Sequence, residues 1–272
     1  MTTLDAVRPT LLDLSPRTDT PAPRPLRDTR AFVARCLRRS LRQVDTLLLA
    51  VMLPVMLLLM FVYVFGGAIE AGMDYVDFVV PGIVILAAGY GAASAAVDVA
   101  TDAATGITDR FRSMPVRATG VITGHVVASL VRNAVATALV IGIALLVGFD
   151  AGASLGGWLA ALALIALYIA AITWVSVAVG LAASGPEAAN GFTFGIMFLP
   201  YVSSAFVPVD SMPSVLQAIA TWNPVTPVAD SVRALLLGAP VDGGALAAAL
   251  AWCIGLVVVA RLVAARLFRR RA

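Results

Sequence analysis

Six long apolar runs constrain this chain more than any other feature. They fall near residues 47–65, 79–100, 120–149, 158–183, 190–208 and 244–263 of a 272-residue sequence. Each is compatible with the roughly 17–25 residues that a helix needs to cross a bilayer. Inside lipid the backbone must satisfy its own hydrogen bonds, so the runs are read as helices. Composition agrees: hydrophobic residues make up 60% of the chain and charged ones 13%, against about 45–50% and about 25% in soluble domains. A globule of that composition would expose large apolar patches, which excludes a soluble enzyme. A disordered chain is excluded too. The expected fold is an all-α integral membrane protein with six transmembrane helices. Pro54, Pro81 and Pro200 fall in or at the start of runs and predict kinks or helix starts there. His125, Arg132 and Asn133 interrupt the third run, so its full crossing is expected nearer 133–149.

The flanks of the runs set the expected topology. Residues 1–28 are polar and Pro-rich and read as a disordered tail, with no signal-peptide core before the first run. Over 29–45, Val33, Leu37, Leu41 and Val44 alternate at helical spacing with Arg35, Arg38, Arg39 and Arg42. That pattern predicts an amphipathic basic helix lying on the membrane surface. Residues 269–272 form a short basic tail after a transmembrane domain spanning 29–268. Seventeen Arg lie on the segments that six crossings place on one side (1–46, 98–119 and the C-terminal end), against one, Arg233, on the other. The positive-inside rule then makes both termini cytoplasmic.

Several chemistries are excluded by simple absence. The sequence has no Lys; all 19 basic residues are Arg. A P-loop needs its Lys to reach the phosphates, so this chain holds no Walker-type ATPase site. The only Cys are Cys36 and Cys253, and the only His is His125. No multi-Cys/His metal cluster and no two-His metalloprotease motif can form, and no catalytic or metal residues are expected. Nucleic acid is not an expected partner.

Two segments outside the runs hold candidate functional residues. Asp98–Gly120 reads DVATDAATGITDRFRSMPVRATG. Asp102, Asp109, Arg110 and Arg112 interleave charges, and Pro115 stops the helix. The segment reads as a cytoplasmic coupling helix on which a partner docks. The 209–243 segment, on the opposite side, predicts two helices too short to span, hence re-entrant or interfacial. Pro213 and Pro227 sit where a first turn tolerates Pro, Asn223-Pro224 follows Trp222 and breaks the chain, and Gly238 closes the second helix. Asp230 and Arg233 are three residues apart and can pair. Asp98 and Glu187 are expected at span ends, and Arg132 is expected to snorkel to the cytoplasmic interface. The Gly and Ala of runs two, four and six predict close helix packing.

The segment Thr105–Pro115, TGITDRFRSMP, resembles the cytoplasmic turn of ABC-2 type permeases. That turn usually shows an acidic-Arg-acidic stretch, G-T-x-E-R-L and a following Pro. The match covers Gly106, Asp109, Arg110, Phe111 and Pro115, while Ala103, Ala104 and Thr105 replace the usual charges before the glycine. The run from Phe206-Val-Pro through Asp210-Ser-Met-Pro to Trp222-Asn-Pro-Val-Thr-Pro and Arg233-x-Leu-Leu-Leu-Gly238 looks like the daunorubicin-resistance (DrrB-like) branch. The resemblance spans about residues 30–268. It implies a non-enzymatic permease subunit in a bacterial cell membrane, exporting a hydrophobic or amphipathic molecule. It also implies a separate ABC ATPase that binds the ATP and Mg, and a homodimer or a paired second permease. The alternative is a secondary transporter or channel without an ATPase, which would need intramembrane charges or discontinuous helices around a central site.

Overall fold

The computed structural model describes residues 33–34, 44–69, 71–105 and 118–270. Among them there are eight α-helices and no strand. Helix α1 runs Val44–Met60 and continues into a π-helical turn, Phe61–Phe65. Helix α2 is Tyr75–Ala104, α3 Ala118–Val147 and α4 Leu155–Ala182. Helix α5 is Pro186–Phe198, followed by a 3-10 turn over Leu199–Val202. The short α6 (Ser214–Trp222) and α7 (Val225–Leu237) precede α8, Gly243–Arg270. Of the N-terminal amphipathic segment, Val33, Ala34, Val44 and Asp45 are described and all are helical, the last two as the start of α1.

Four helices (α2, α3, α4 and α8) are long and apolar enough to cross a membrane. At about 1.5 Å per residue, the 30-residue α2 is about 45 Å long, which exceeds the hydrocarbon core. It is also the centre of the helix bundle. It touches α1, α3, α4, α5 and α7, and 89% of its most apolar window is buried, against 17% for α8. Small residues make that centrality possible. A Cβ on Gly180 of α4 would strike the Ala96 carbonyl of α2, and one on Gly82 of α2 would strike the Ala205 carbonyl. The backbones approach at these points because no side chain intervenes.

Two helices differ from the sequence expectation. The third run is not interrupted; α3 is continuous from Ala118 to Val147. His125, Ser129, Arg132 and Asn133 share one helical face, and that face is buried inward. The fifth run is helical from Pro186 rather than 190, and it stops early. Its α-helix has 13 residues, and regular structure ends at Val202 rather than 208. Pro200 supplies no N–H, and the Ser203 hydroxyl donates to the Pro200 carbonyl at 2.6 Å while accepting from the Ala205 N–H. The side chain thus competes with the helix for its own backbone. Pro54 and Pro81 lie inside α1 and α2 rather than at their starts.

Candidate functional site

Polar groups inside the helix bundle concentrate between α2 and α3, which run antiparallel. Near the α2 C-terminus, His125 Nε2 lies 3.3 Å from Asp102 Oδ2, with both side chains buried. Further in, Arg132 Nη1 lies 3.7 Å from Asp98 Oδ2. Arg132 Nη2 donates to the Gly91 carbonyl at 3.0 Å and to Ser94 Oγ at 2.6 Å. Asn133 Nδ2 donates to the Ser129 carbonyl and to Ser129 Oγ, which lies 3.0 Å from Thr173 Oγ1 of α4. Arg132 therefore does not snorkel to an interface. Burial leaves its guanidinium few places to find acceptors, and the neighbouring helix supplies them. Gly91 makes room for this arrangement, because a Cβ there would collide with the Asn133 amide.

The second cluster lies at the other end. Arg233 on α7 is 8% exposed. Its Nε donates to the Phe78 carbonyl at 3.0 Å, its Nη2 to the Ser204 carbonyl at 2.8 Å, and its Nη1 to Asp230 Oδ1 at 2.8 Å. The guanidinium also lies over the Phe78 ring, 3.9 Å from its centroid. Ser204 Oγ donates to the same Asp230 oxygen. Asp230 and Arg233 thus pair as their spacing suggested, and together they pin α7 to α2 and to the 203–206 turn.

Asn223 separates α6 from α7, as expected. Its Nδ2 donates to the carbonyls of Leu199 and Val202, the first and last residues of the 3-10 turn, and its Oδ1 accepts from the Val225 N–H. Pro213 immediately precedes α6, and Pro224 immediately precedes α7. Gly238 closes α7 at φ 67°, a left-handed conformation that glycine adopts without penalty. Phe206 is stacked between Phe61 and Tyr201, at 4.9 and 5.2 Å, and its carbonyl accepts from the Tyr75 hydroxyl. The two short helices diverge in exposure. About half of α7 is buried, whereas α6 buries only Ala220 and exposes Val215, Leu216, Ile219 and Trp222. Trp222, at 79% exposed, is a surface residue.

Of the residues expected to form the docking turn, Asp102 is buried against His125 rather than held outward. Gly106, Asp109, Arg110, Phe111, Arg112 and Pro115 lie outside the described residues. No group of acidic, His and Cys side chains suited to a metal ion occurs among the described residues. One G-x-S-x-G spacing does occur, Gly152 to Gly156. Its serine caps α4, accepting from the Gly157 N–H, while the one His is paired with Asp102. What the sequence reading missed is the exposed soft face of α1, Met52, Met56 and Met60, and the exposed Phe192, Phe194 and Phe198 of α5. The four-residue spacing of the three Met was its visible signal.

These clusters bind helices to one another; they do not assemble a nucleophile, an acid–base pair and an open pocket. With its long apolar helices, the molecule is a multi-pass α-helical membrane protein. The chain belongs to the ABC-2 type transporter family, whose model matches residues 27–237. It is 31% identical over 225 residues to the daunorubicin resistance ABC transporter permease protein DrrB1 of Streptomyces coeruleorubidus, covering 81% of this chain and 78% of the relative. It is 25% identical over 242 residues to the probable doxorubicin resistance ABC transporter permease protein DrrC of Mycobacterium tuberculosis, covering 87% and 86%.

Proposed function

We infer that this chain is the membrane-spanning permease subunit of an ATP-driven exporter, moving a hydrophobic or amphipathic molecule such as a drug, lipid or glycolipid outward across a bacterial plasma membrane. The observation that carries this reading is likeness over most of the chain to a permease named for daunorubicin resistance. Family membership supports a separate ABC ATPase as the motor. The absence of Lys supports placing ATP and Mg on that partner and not here. Two copies, or this chain with a second permease, form the pathway. The six apolar runs support six crossings, and the Arg asymmetry then supports cytoplasmic termini. In that arrangement α1 and α5 are the shorter spans, and α6 and α7 are the external helices at membrane depth.

The segment around Gly106–Pro115 is the docking turn in this reading, with Asp109 and Arg110 as charged contacts and Phe111 as an apolar anchor. The test is co-purification and transport after co-expression with the ATPase. The purified chain alone should show no Mg-dependent ATP hydrolysis; substrate-stimulated hydrolysis should appear with the ATPase bound. Phe111→Ala should weaken association by roughly 1–4 kcal/mol, the range of an interface anchor. Gln217→Ala on α6 should not. Export that persists in a proton gradient without any ATPase would establish a secondary transporter instead.

A further inference from the structure

The two ends of the 106–117 segment leave from helices that a buried imidazole–carboxylate pair holds together. Asp102 sits three residues before Thr105, the C-cap of α2. His125 is the eighth residue of α3. The pair therefore lies across the mouth of the helical hairpin, at 4% and 9% exposure. It continues inward as Asp98–Arg132, then as Arg132 to Ser94 and Gly91. Asp98 and Asp102 are four residues apart on α2, and His125 and Arg132 are seven apart on α3, so each set shares one helical face. The result is a ladder of charge contacts and hydrogen bonds along one helix–helix seam.

Such a ladder is a poor way to gain stability. Taking ionisable groups out of water costs several kcal/mol per charge, and apolar replacements of similar volume are often neutral or stabilising. Leu against Leu would hold α2 to α3 equally well but would tolerate sliding. The His125–Asp102 contact at 3.3 Å and the Arg132 hydrogen bonds to Gly91 and Ser94 are each lost on a displacement of one or two ångströms, so together they fix register. The location matters for the same reason. Force applied to the 106–117 segment enters the membrane through α2 and α3, and α2 touches five of the other helices.

We propose that Asp102 and His125 are positioning residues that lock α2 and α3 in register, so that displacement of the cytoplasmic turn moves both helices as one body. Asp102 then acts on coupling through His125 and not by touching the ATPase. This rests on the reading that the 106–117 segment docks the ATPase.

The experiment uses the full chain with its ATPase in sealed proteoliposomes, with daunorubicin as the transported probe. Asp102→Leu combined with His125→Leu should fold with a thermal midpoint at or above that of wild type and retain the ATPase fully. Substrate exported per ATP hydrolysed should fall roughly 5- to 150-fold, the usual range of coupling between sites. Exchanging the two residues (Asp102→His with His125→Asp) should restore most of that loss, which a purely apolar packing role would not require. Normal coupling in the double-Leu chain overturns the proposal, and so does loss of ATPase association in that chain, which would place Asp102 on the docking surface. A second measurement needs no variant to fold. His125 is the only imidazole in the chain, so its ¹⁵N ring resonances can be followed in the wild-type complex. They should keep the signature of a carboxylate-paired ring in both the nucleotide-free and the ATP-trapped states; loss of it in either state overturns the lock. A wild-type chain that fails to retain the ATPase at all overturns the docking reading itself, which is a different observation from intact docking with unaltered coupling.

Discussion

Arg233 shows how one side chain can tie together three stretches of chain. It donates to Asp230 on its own helix, to Ser204 and to Phe78, the last 155 residues away in sequence. Truncation would leave the Phe78 and Ser204 carbonyls without their donor and Asp230 without its cation. Arg233→Ala should therefore destabilise the chain by about 1–3 kcal/mol, the cost of leaving buried acceptors without a partner; Asp230 itself is partly exposed, so water takes up much of its charge. Arg233→Lys should recover only part, because an ammonium cannot match a planar fork that serves three acceptors. Thermal unfolding of the purified chain in detergent measures both, and an unchanged midpoint for the Ala variant would disprove the pin. The Asp230–Arg233 pair was legible because i,i+3 spacing is local. Its other partners were not, since contacts between distant segments leave no periodic trace. Arg132 failed for the same reason: an isolated Arg in an apolar run suggests snorkelling until Asp98, Ser94 and Gly91 are known to face it.

Among the helices, apolar run length located the four long ones well, because crossing a bilayer and forming a continuous helix make the same demand on composition. It overstated the fifth run. Phe206 and Ala205 are apolar and buried, but they belong to a turn packed against α2 and α7 rather than to α5. Hydropathy records burial and not backbone geometry; Pro200 and the paired Ser203–Ser204 were the available warning. Polar residues in the third run misled in the other direction. Read at 3.6-residue spacing, His125, Ser129, Arg132 and Asn133 describe a helix face, not a break. The Gly and Ala content of runs two and four pointed correctly to close packing, and this can be tested. Gly180→Ala forces a Cβ onto the Ala96 carbonyl, a backbone atom that cannot rotate away. It should cost about 1–3 kcal/mol, as overpacking does. Gly255→Ala on α8, where a Cβ meets nothing within 4 Å, should be neutral or stabilising by up to about 1 kcal/mol. Unfolding of the two variants side by side decides; equal midpoints would remove Gly180 from the α2–α4 contact.

For the molecule as a whole, the structure gathers connections that are far apart in sequence at one end of the bundle. The Asp150 N–H donates to Asp77 Oδ1 at 3.0 Å, and Gly152 lies against Leu237 and Gly238. The starts of α2 and α4 and the end of α7 are therefore neighbours, while Asp102 and His125 mark the opposite end. The Arg distribution divides along the same line. The first end holds Asp74, Asp77, Asp150 and Asp242, with Arg233 as its one Arg, whereas Arg110, Arg112 and Arg117 belong to the connection at the other. Helix packing relates the ends to each other but carries no information about which compartment each faces; that comes from charge, through the preference of Arg for the cytoplasmic side. The prediction joins the two arguments. With Cys36 and Cys253 replaced by Ser or Ala, single Cys at Asp74 and at Asp242 should both react with an impermeant thiol reagent added to intact cells. Cys at Ser113 should react only once the membrane is opened. Reaction at Ser113 from outside, with none at Asp74 and Asp242, would keep the grouping of connections but invert the chain. Reaction at only one of Asp74 and Asp242 would separate positions that this arrangement of helices places at the same end, and would overturn an even number of crossings between them.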